Sequence, residues 1–477
     1  MPKGIFDTAP VIAEMGIDII VIGAGLSGLA SALALCKAGH NVTIIDKRDV
    51  SQPWKGAGGC RIPPNLVKII RRWGLGEEFA KKALPLESLH MLRFETGEFL
   101  GQHEWAEEML REAEGDYELI EYQDLWNIFY KGAQDYGATF MMNTTVTSVD
   151  PHALEVTLAD GRILAADLFI GADGPQGLTR KLLSDDIEQT PSDGCVMYEA
   201  MIPADRVRDV PELKSLGLGQ KDINKIMLFL GEGLCMHLFP VSGRDAFAMQ
   251  LCVGPDMIPA GEPEGSWGDA PSVRIADKLP KNVEPRIKKL AEYAEPAVRV
   301  RSENTRLSTW VHSTQRLIVI GDAAHPFPPG AQQGSALAVE DAAVLGKLFT
   351  YLKVDDQIGN FLWAVQELRQ DRCEKCLQEE YDLYVFLTLR QGEMQEVRDA
   401  EMRLKHESGR TDLRQGEDVA AKQWEELRTV YAYDCEDEAD NWWIEWGLLR
   451  ERARERNEFY NTTPIRQPVI QQSVRSV

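Results

Sequence analysis

The run Gly23-Ala24-Gly25-Leu26-Ser27-Gly28 constrains this chain more than any other stretch. It follows an apolar, strand-like segment, Ile17–Gly23, and opens a small-residue helical segment, Ser27–Ala38. Gly39 then acts as a stop, and Val42–Asp46 reads as a second strand. A first strand without polar alternation must be buried on both faces, which predicts a parallel sheet covered by helices. In such a β-α-β unit Gly23 permits the tight turn, Gly25 lets a pyrophosphate reach the backbone, and Gly28 lets the helix pack on the strand. The amides at Leu26 and Ser27 and the positive end of the helix then face an anion. Asp46 lies 18 residues after Gly28, where a carboxylate meets ribose hydroxyls. These residues predict an α/β, Rossmann-like dinucleotide site.

Charge narrows the partners. The 477 residues carry a formal charge of −23, which repels polyanions and argues against nucleic acid and acidic lipid. A small anionic substrate would need only a local basic pocket. No stretch of about 18 unbroken apolar residues occurs, so no membrane span is expected. The first residues lack the apolar core of a secretory leader. Eight scattered cysteines fit reduced thiols and a cytoplasmic setting. Cys373 and Cys376 form a CxxC inside a helical stretch with no partner pair, so no metal is expected.

Further along, Thr144–Val149, Leu154–Leu158 and Arg162–Phe169 read as strands. Strand candidates Lys225–Leu230, Cys235–Val241 and Ala246–Val253 predict a second, mainly antiparallel sheet domain. Alternation places Cys235, His237 and Phe239 on one face of it. Leu317–Gly321 is another short strand. From Ala338 the chain turns helical, with Phe361–His406 as one periodic stretch and Trp442, Trp443 and Trp446 packing a late helix onto the body. The expected division is 15–186 (with an insertion at about 86–110), 187–304 for the substrate sheet, 305–362, a helical region 363–456 and a tail 457–477.

Two more segments carry a resemblance: DLFIGADGPQGLTR (167–180) and GDAAHPFPPGAQQGSALAVEDAAVLGKL (321–348). With the first motif, and with GAGGCRIPPNLVKIIRRWGL (56–75), they resemble the single-component, FAD-dependent aromatic hydroxylases, nearest to the salicylate-hydroxylase-like ones, including fungal members. The resemblance implies a glutathione-reductase-type FAD domain, an antiparallel substrate domain and a helical C-terminal region. It implies FAD as cofactor, NADH or NADPH as reductant and O2 as co-substrate. Oxygen would pass through a flavin C4a-hydroperoxide to a phenolic or aromatic acid, with or without loss of CO2. A prenylated or terpenoid substrate is the alternative, and a non-catalytic FAD-binding protein a more distant one. The protein would act as a monomer or homodimer.

By the same resemblance Asp173 lies near the pyrophosphate, and Asp322 binds a hydroxyl on the ribityl or pyrophosphate side. Pro326 and Pro329 shape the bend beside the isoalloxazine, while Gly334 and Ser335 open a helix aimed at its pyrimidine edge. Lys47, Gly59 and Arg61 are further candidate FAD contacts, and Arg48 lies near them. The family pattern is broken at three positions. Tyr122 replaces an arginine that grips FAD, Gly177 replaces a serine, and Glu199 stands where many relatives place an arginine near the substrate. His237 is the candidate base for a phenol, with Glu199 and Pro326 beside it. His325 reads as structural.

Overall fold

The computed structural model describes residues 12–51, 58–183, 195–216, 224–258, 265–266, 269–302, 306–409, 411 and 428–449. The tail 457–477 lies outside them, as do residues 259–264 and 267–268. The first sheet has five strands, in the order Leu317–Val319, Leu168–Gly171, Asp18–Ile22, Asn41–Ile45, Thr139–Met141. Every pair in it is parallel. The reason lies in the sequence: Ile19, Ile20, Val21 and Ile22 are all buried, so both sides must be covered; Ile20 and Ile22 pack with Val149, Val156 and Leu158 of a small antiparallel sheet, and Ile19 and Val21 face helices. The helices Leu26–Lys37 and Gly334–Phe349 pack there, and Gly346 makes this close, since a Cβ on it would meet the Cβ of Ala34 at 2.5 Å.

The expected strand Arg162–Phe169 breaks in two. Ile163–Ala165 stays in a three-stranded antiparallel sheet with Glu155–Leu158 and Val146–Asp150, whereas Leu168–Gly171 joins the parallel sheet. Asp167 is the crossing point. Its amide donates to the Asp18 carbonyl, and its carboxylate accepts the Asp18 amide, each at 2.8 Å.

The second large sheet has seven strands: Val298–Arg301, Val196–Pro203, Ala246–Val253, Leu234–Val241, Lys225–Gly231, Ser88–Arg93, Phe99–His103. It is antiparallel except where Ser88–Arg93 runs parallel to Lys225–Gly231. The segment 88–103 thus adds two strands to this sheet. One face carries Tyr198, Phe229, Met236 and Leu251 and packs under the helix Pro285–Tyr293. The other carries Met197, Leu228, Cys235, Phe239 and Cys252 and faces the small sheet Gly59–Ile62, Glu118–Glu121, Leu84–Pro85.

The predicted helical stretch 361–406 is two helices, Gln357–Leu387 and Glu393–Glu407. Gly392 separates them with φ 154°, a value open to glycine but not to a helical residue. Trp442 and Trp443 are buried, and Trp443 stacks on Tyr351 at 4.7 Å. Trp446 departs from the expectation: it is 56 % exposed. The helix turns into a wider, π-type winding at Trp443–Gly447, and Trp446 points away from the body.

Candidate functional site

The Gly-rich turn is built to leave room on one side only. A Cβ on Gly23 would collide with the Ala172 carbonyl, and one on Gly28 with the Gly23 carbonyl. Gly25 differs. A Cβ there would find only the Ala172 oxygen, at 4.0 Å, so no protein atom requires a glycine. The helix Leu26–Lys37 begins at Gly25 with no side-chain cap, leaving its first amides for an outside acceptor. Gly174, at φ 82°, also faces open space. Tight packing at Gly23 and Gly28 with an open Gly25 fits a pyrophosphate laid on the backbone.

The carboxylates sit around this opening. Asp46 accepts the Ala24 amide at 2.6 Å and the Arg48 amide at 2.7 Å, which seats it at the mouth of the turn. Asp173 accepts the Thr179 amide at 3.0 Å and the Thr179 hydroxyl, so it caps the short turn Thr179–Leu182. This explains the glycine at 177: a side chain there would run into the Asp173 carboxylate. Asp322 is solvent-accessible yet surrounded by protein, as at the floor of a cleft. Ser27 is buried and packs against Gly321 on the same turn. Leu26 is buried beneath it. Lys47, in contrast, is exposed.

Tyr122 opens the helix Tyr122–Asp135 and lies within the fields of Asp322, Asp46 and Arg48. Burial pushes its hydroxyl above the usual phenol range, so it stays neutral. Arg48 lies with its guanidinium 4.3 Å over the Trp126 ring. Trp126 itself donates to the Ala24 carbonyl at 2.7 Å, which ties this helix to the Gly-rich turn. Arg48, from the end of the second strand, thus brings a cation close to position 122. Sequence reading noted Arg48 but gave it no role, because its approach to Tyr122 needs the helix in place.

The segment after Asp322 is anchored by a buried charge cluster. His325 Nε2 meets Asp341 Oδ2 at 2.6 Å, and Gly321 donates to the same oxygen at 3.0 Å. Arg369 Nε reaches Asp341 at 2.9 Å, while Arg372 Nε and Asn65 Nδ2 reach Glu340 at 2.8 and 2.7 Å. Burial opposes the charge on Asp341, but His325 and Arg369 overcome it and hold the carboxyl near pH 2 (about 2). Burial also opposes charge on His325, and Cys373 and Asp341 raise it well above its ordinary value. Pro326 and Pro329 are buried in the bend that this cluster fixes, and Pro326 carries no group that could exchange a proton. Gly334 and Ser335 open the next helix. The Glu380 carboxylate accepts the amides of Gln332 and Gln333, both at 2.8 Å, and so fixes that helix entrance. Spacing alone did not reveal Arg369, Arg372 or Glu380 as partners of this segment.

The wall opposite is the seven-stranded sheet. Glu199, Gln250 and His237 stand in register on three adjacent strands and form one buried polar row. The neighbouring row is Met197, Cys252, Cys235 and Leu230. Gly58 and Gly59 lie directly on this wall: a Cβ on Gly58 would strike the Glu199 carboxyl, and one on Gly59 would meet Ala248 and Phe239. Gly59 donates to Glu199 Oε1 at 2.8 Å, and Gln250 Nε2 donates to the same oxygen at 2.7 Å and to the Gly59 carbonyl at 2.9 Å. Burial pushes the Glu199 carboxyl up to about 7, against the pull of Gln250, Gly59 and Arg61. Burial and Arg61 hold His237 well below its ordinary value, so its ring is neutral. Arg61 donates to the Gly330 carbonyl and spans from the small sheet to the Pro-rich bend.

The structure thus brings Glu199 and His237 together through Gln250, a residue the sequence did not single out. Potential metal-ligand atoms also converge within 4.8 Å in Cys235–His237–Cys252 and in His325–Asp341–Cys373. Cys235 and His237 share one strand, but Cys252 comes from the strand beside it, and the second group joins a loop to two helices, so spacing alone could not complete either set. In the second group Asp341 is committed to His325 and Arg369.

Comparison with known proteins agrees with this geometry. The FAD binding domain family model matches residues 16–357. FAD-dependent monooxygenase OpS4 of Beauveria bassiana is 25 % identical over 89 % of this chain and 97 % of its own. Hispidin-3-hydroxylase of Neonothopanus nambi is 28 % identical over 77 % of this chain and 89 % of its own. The crystal structure of CtdE in complex with FAD and substrate superposes with a TM-score of 0.72 at 20 % identity, over 91 % of this chain and all of that one (100 %); this last likeness speaks to fold. The chain belongs to the FAD binding domain family and is a flavoprotein of the FAD-dependent monooxygenase class.

Proposed function

We propose that this protein uses NADH or NADPH and O2 to insert one oxygen atom into a phenolic substrate. The buried polar row Glu199–Gln250–His237 carries the reading, because it lies on the wall facing the FAD cradle and is shielded by Gly58 and Gly59. When bound, FAD supplies the redox chemistry, taking electrons from the reductant and activating O2. The amides that follow Gly25, with Asp46 and Arg48, would hold its phosphate and ribose end. Asp173 and Asp322, with the bend at Pro326 and Pro329 and the helix entrance at Gly334 and Ser335, would hold the rest.

The chain's own groups then prepare the substrate. A phenol is a stronger nucleophile once its proton is shared with a base. Glu199, titrating near neutrality, is the group on the wall able to accept that proton, while His237, held neutral by burial and Arg61, can share a hydrogen bond with the substrate. The apolar rows on either side, with Met197, Leu230 and Phe239, keep water from the reacting carbon. The resemblance to salicylate hydroxylases led to the expectation of an aromatic acid, with or without decarboxylation.

The test is direct. Purified yellow protein is supplied with NADH or NADPH, and O2 uptake and product mass are measured across phenols, phenolic acids and terpenoids. A gain of one oxygen on a phenol supports the reading, and a gain of one oxygen with loss of CO2 identifies the decarboxylating form. Oxygenation of a terpenoid but of no phenol would replace it with the alternative. Reductant consumption that no compound stimulates would refute it.

A further inference from the structure

The polar row has more acceptors than donors. Both amide hydrogens of Gln250 are used, one toward Gly59 O and one toward Glu199 Oε1, and this fixes which way the side chain points. Gln250 Oε1 is left buried with no donor. His237 Nδ1, on a side chain 5 % exposed, is likewise buried with no partner. Glu199 adds a carboxylate beside Gln250 and accepts the Gly59 amide. A buried polar atom left unpaired costs about 1–3 kcal/mol, so the row lacks a donor at Gln250 Oε1 and, with His237 in its Nε2–H tautomer, a second at Nδ1.

Charge points the same way. Arg61 is the cation whose field reaches Glu199, His237 and Cys252. Its guanidinium is already engaged with the Gly330 carbonyl, and it also acts on Glu380. The neighbouring sheet residues are thiol, thioether and hydrocarbon (Met197, Cys235, Cys252, Leu228, Leu230 and Phe239), with the Tyr384 hydroxyl packed against the cysteines. Among the described residues, an incoming carboxylate would therefore face Glu199 and the unpaired acceptors with one shared cation for support.

We propose that this pocket takes an uncharged arene bearing two or more hydrogen-bond donors, hydroxyl or ring N–H, and discriminates against aromatic carboxylates. The assignment rests on reading this wall as the substrate side of the FAD site. One donor pairs with Gln250 Oε1 and another with His237 or Glu199, which places the hydroxylated edge of the ring against the row.

A matched set of ligands tests it on the FAD-loaded protein by equilibrium dialysis, without reductant. The set is 3,5-dihydroxyacetophenone, its dimethyl ether and 3,5-dihydroxybenzoate. The dihydroxy ketone should bind at least about tenfold more tightly than either of the others, as expected when a buried acceptor gains or loses its donor. Gln250→Leu and His237→Phe should each shrink the preference for the diol over its ether while leaving the FAD content unchanged. Equal or tighter binding of the benzoate, equal binding of the ether, or no saturable binding of any of the three would overturn the proposal. The wild-type comparison decides by itself if a variant fails to fold. Selective binding of the diol without NAD(P)H-driven oxygenation of any phenol would keep this assignment and refute the proposed reaction. Oxygenation of the benzoate in preference to the ketone would do the reverse.

Discussion

Two residues at the site are poised between packing and chemistry. Gly25 is a glycine for the sake of something outside the fold, since a Cβ there touches nothing nearer than 4.0 Å. Gly25→Ala should therefore fold with stability within about 1 kcal/mol of the parent, yet retain much less FAD after gel filtration. Gly28→Ala should fail to fold, because its Cβ would strike the Gly23 carbonyl. Glu199 gives the opposite kind of test. The folded protein holds its proton up to about pH 7, against 4.5 for the free side chain. Below pH 4.5 both states are protonated and the fold bears no penalty; the penalty grows as pH rises toward 7 and is constant above it. Glu199→Gln, which keeps both hydrogen bonds, should leave FAD-free stability unchanged at pH 4 and raise it by up to about 3 kcal/mol at pH 8. Urea titrations at the two pH values measure this, and an equal change at both would show that Glu199 is not held in that state.

At the level of elements, the helix Gly334–Phe349 is the hub. It packs on the first helix at Gly346 and presents Glu340 and Asp341 to a third, Gln357–Leu387. Both acids are compensated in the interior. Arg372→Met should destabilise the protein by about 3–5 kcal/mol, because it leaves Glu340 buried with one guanidinium fewer and frees the carbonyls of Thr429 and Val430. Chemical denaturation checks it, and a loss below about 1 kcal/mol would mean that Arg369 and Asn65 compensate. Much of this was legible beforehand. The strand, turn and helix at 17–38 follow from glycine spacing and an unbroken apolar run. The break at Gly392 was missed because a single glycine weighs little in a periodicity count over so long a stretch. The crossing at Asp167 was missed for a related reason: two short strands joined end to end look like one.

Over the whole molecule, the proposed FAD cradle draws on elements far apart in the chain. It takes the turn after the first strand, Asp173 from the middle, and the bend held by the 334–349 helix, while Arg61 links that bend to the small sheet. A ligand that engages all of these stabilises the folded state by mass action. FAD at about 100 times its dissociation constant should add about 2.7 kcal/mol and raise the thermal midpoint with its concentration. The shift should be smaller in Gly25→Ala than in the parent. Equal shifts would show that FAD does not lie on the Gly-rich turn.

The choice of FAD came from the family resemblance of 167–180 and 321–348, while the sequence's own patterns determined the parallel α/β frame and the dinucleotide turn. Those depend on local rules: which glycines permit a turn, which runs must be buried, which residue types cap a helix. Only the tertiary structure decided how the pocket is equipped. Gln250 is one polar residue in an otherwise apolar strand until register sets it between Glu199 and His237. Arg48 is a surface-type arginine until the Tyr122–Asp135 helix brings Trp126 under it. Electrostatics and hydrogen bonding act through space at a few ångströms, between residues whose separation along the chain, such as the 51 positions from Glu199 to Gln250, carries no signal of their contact.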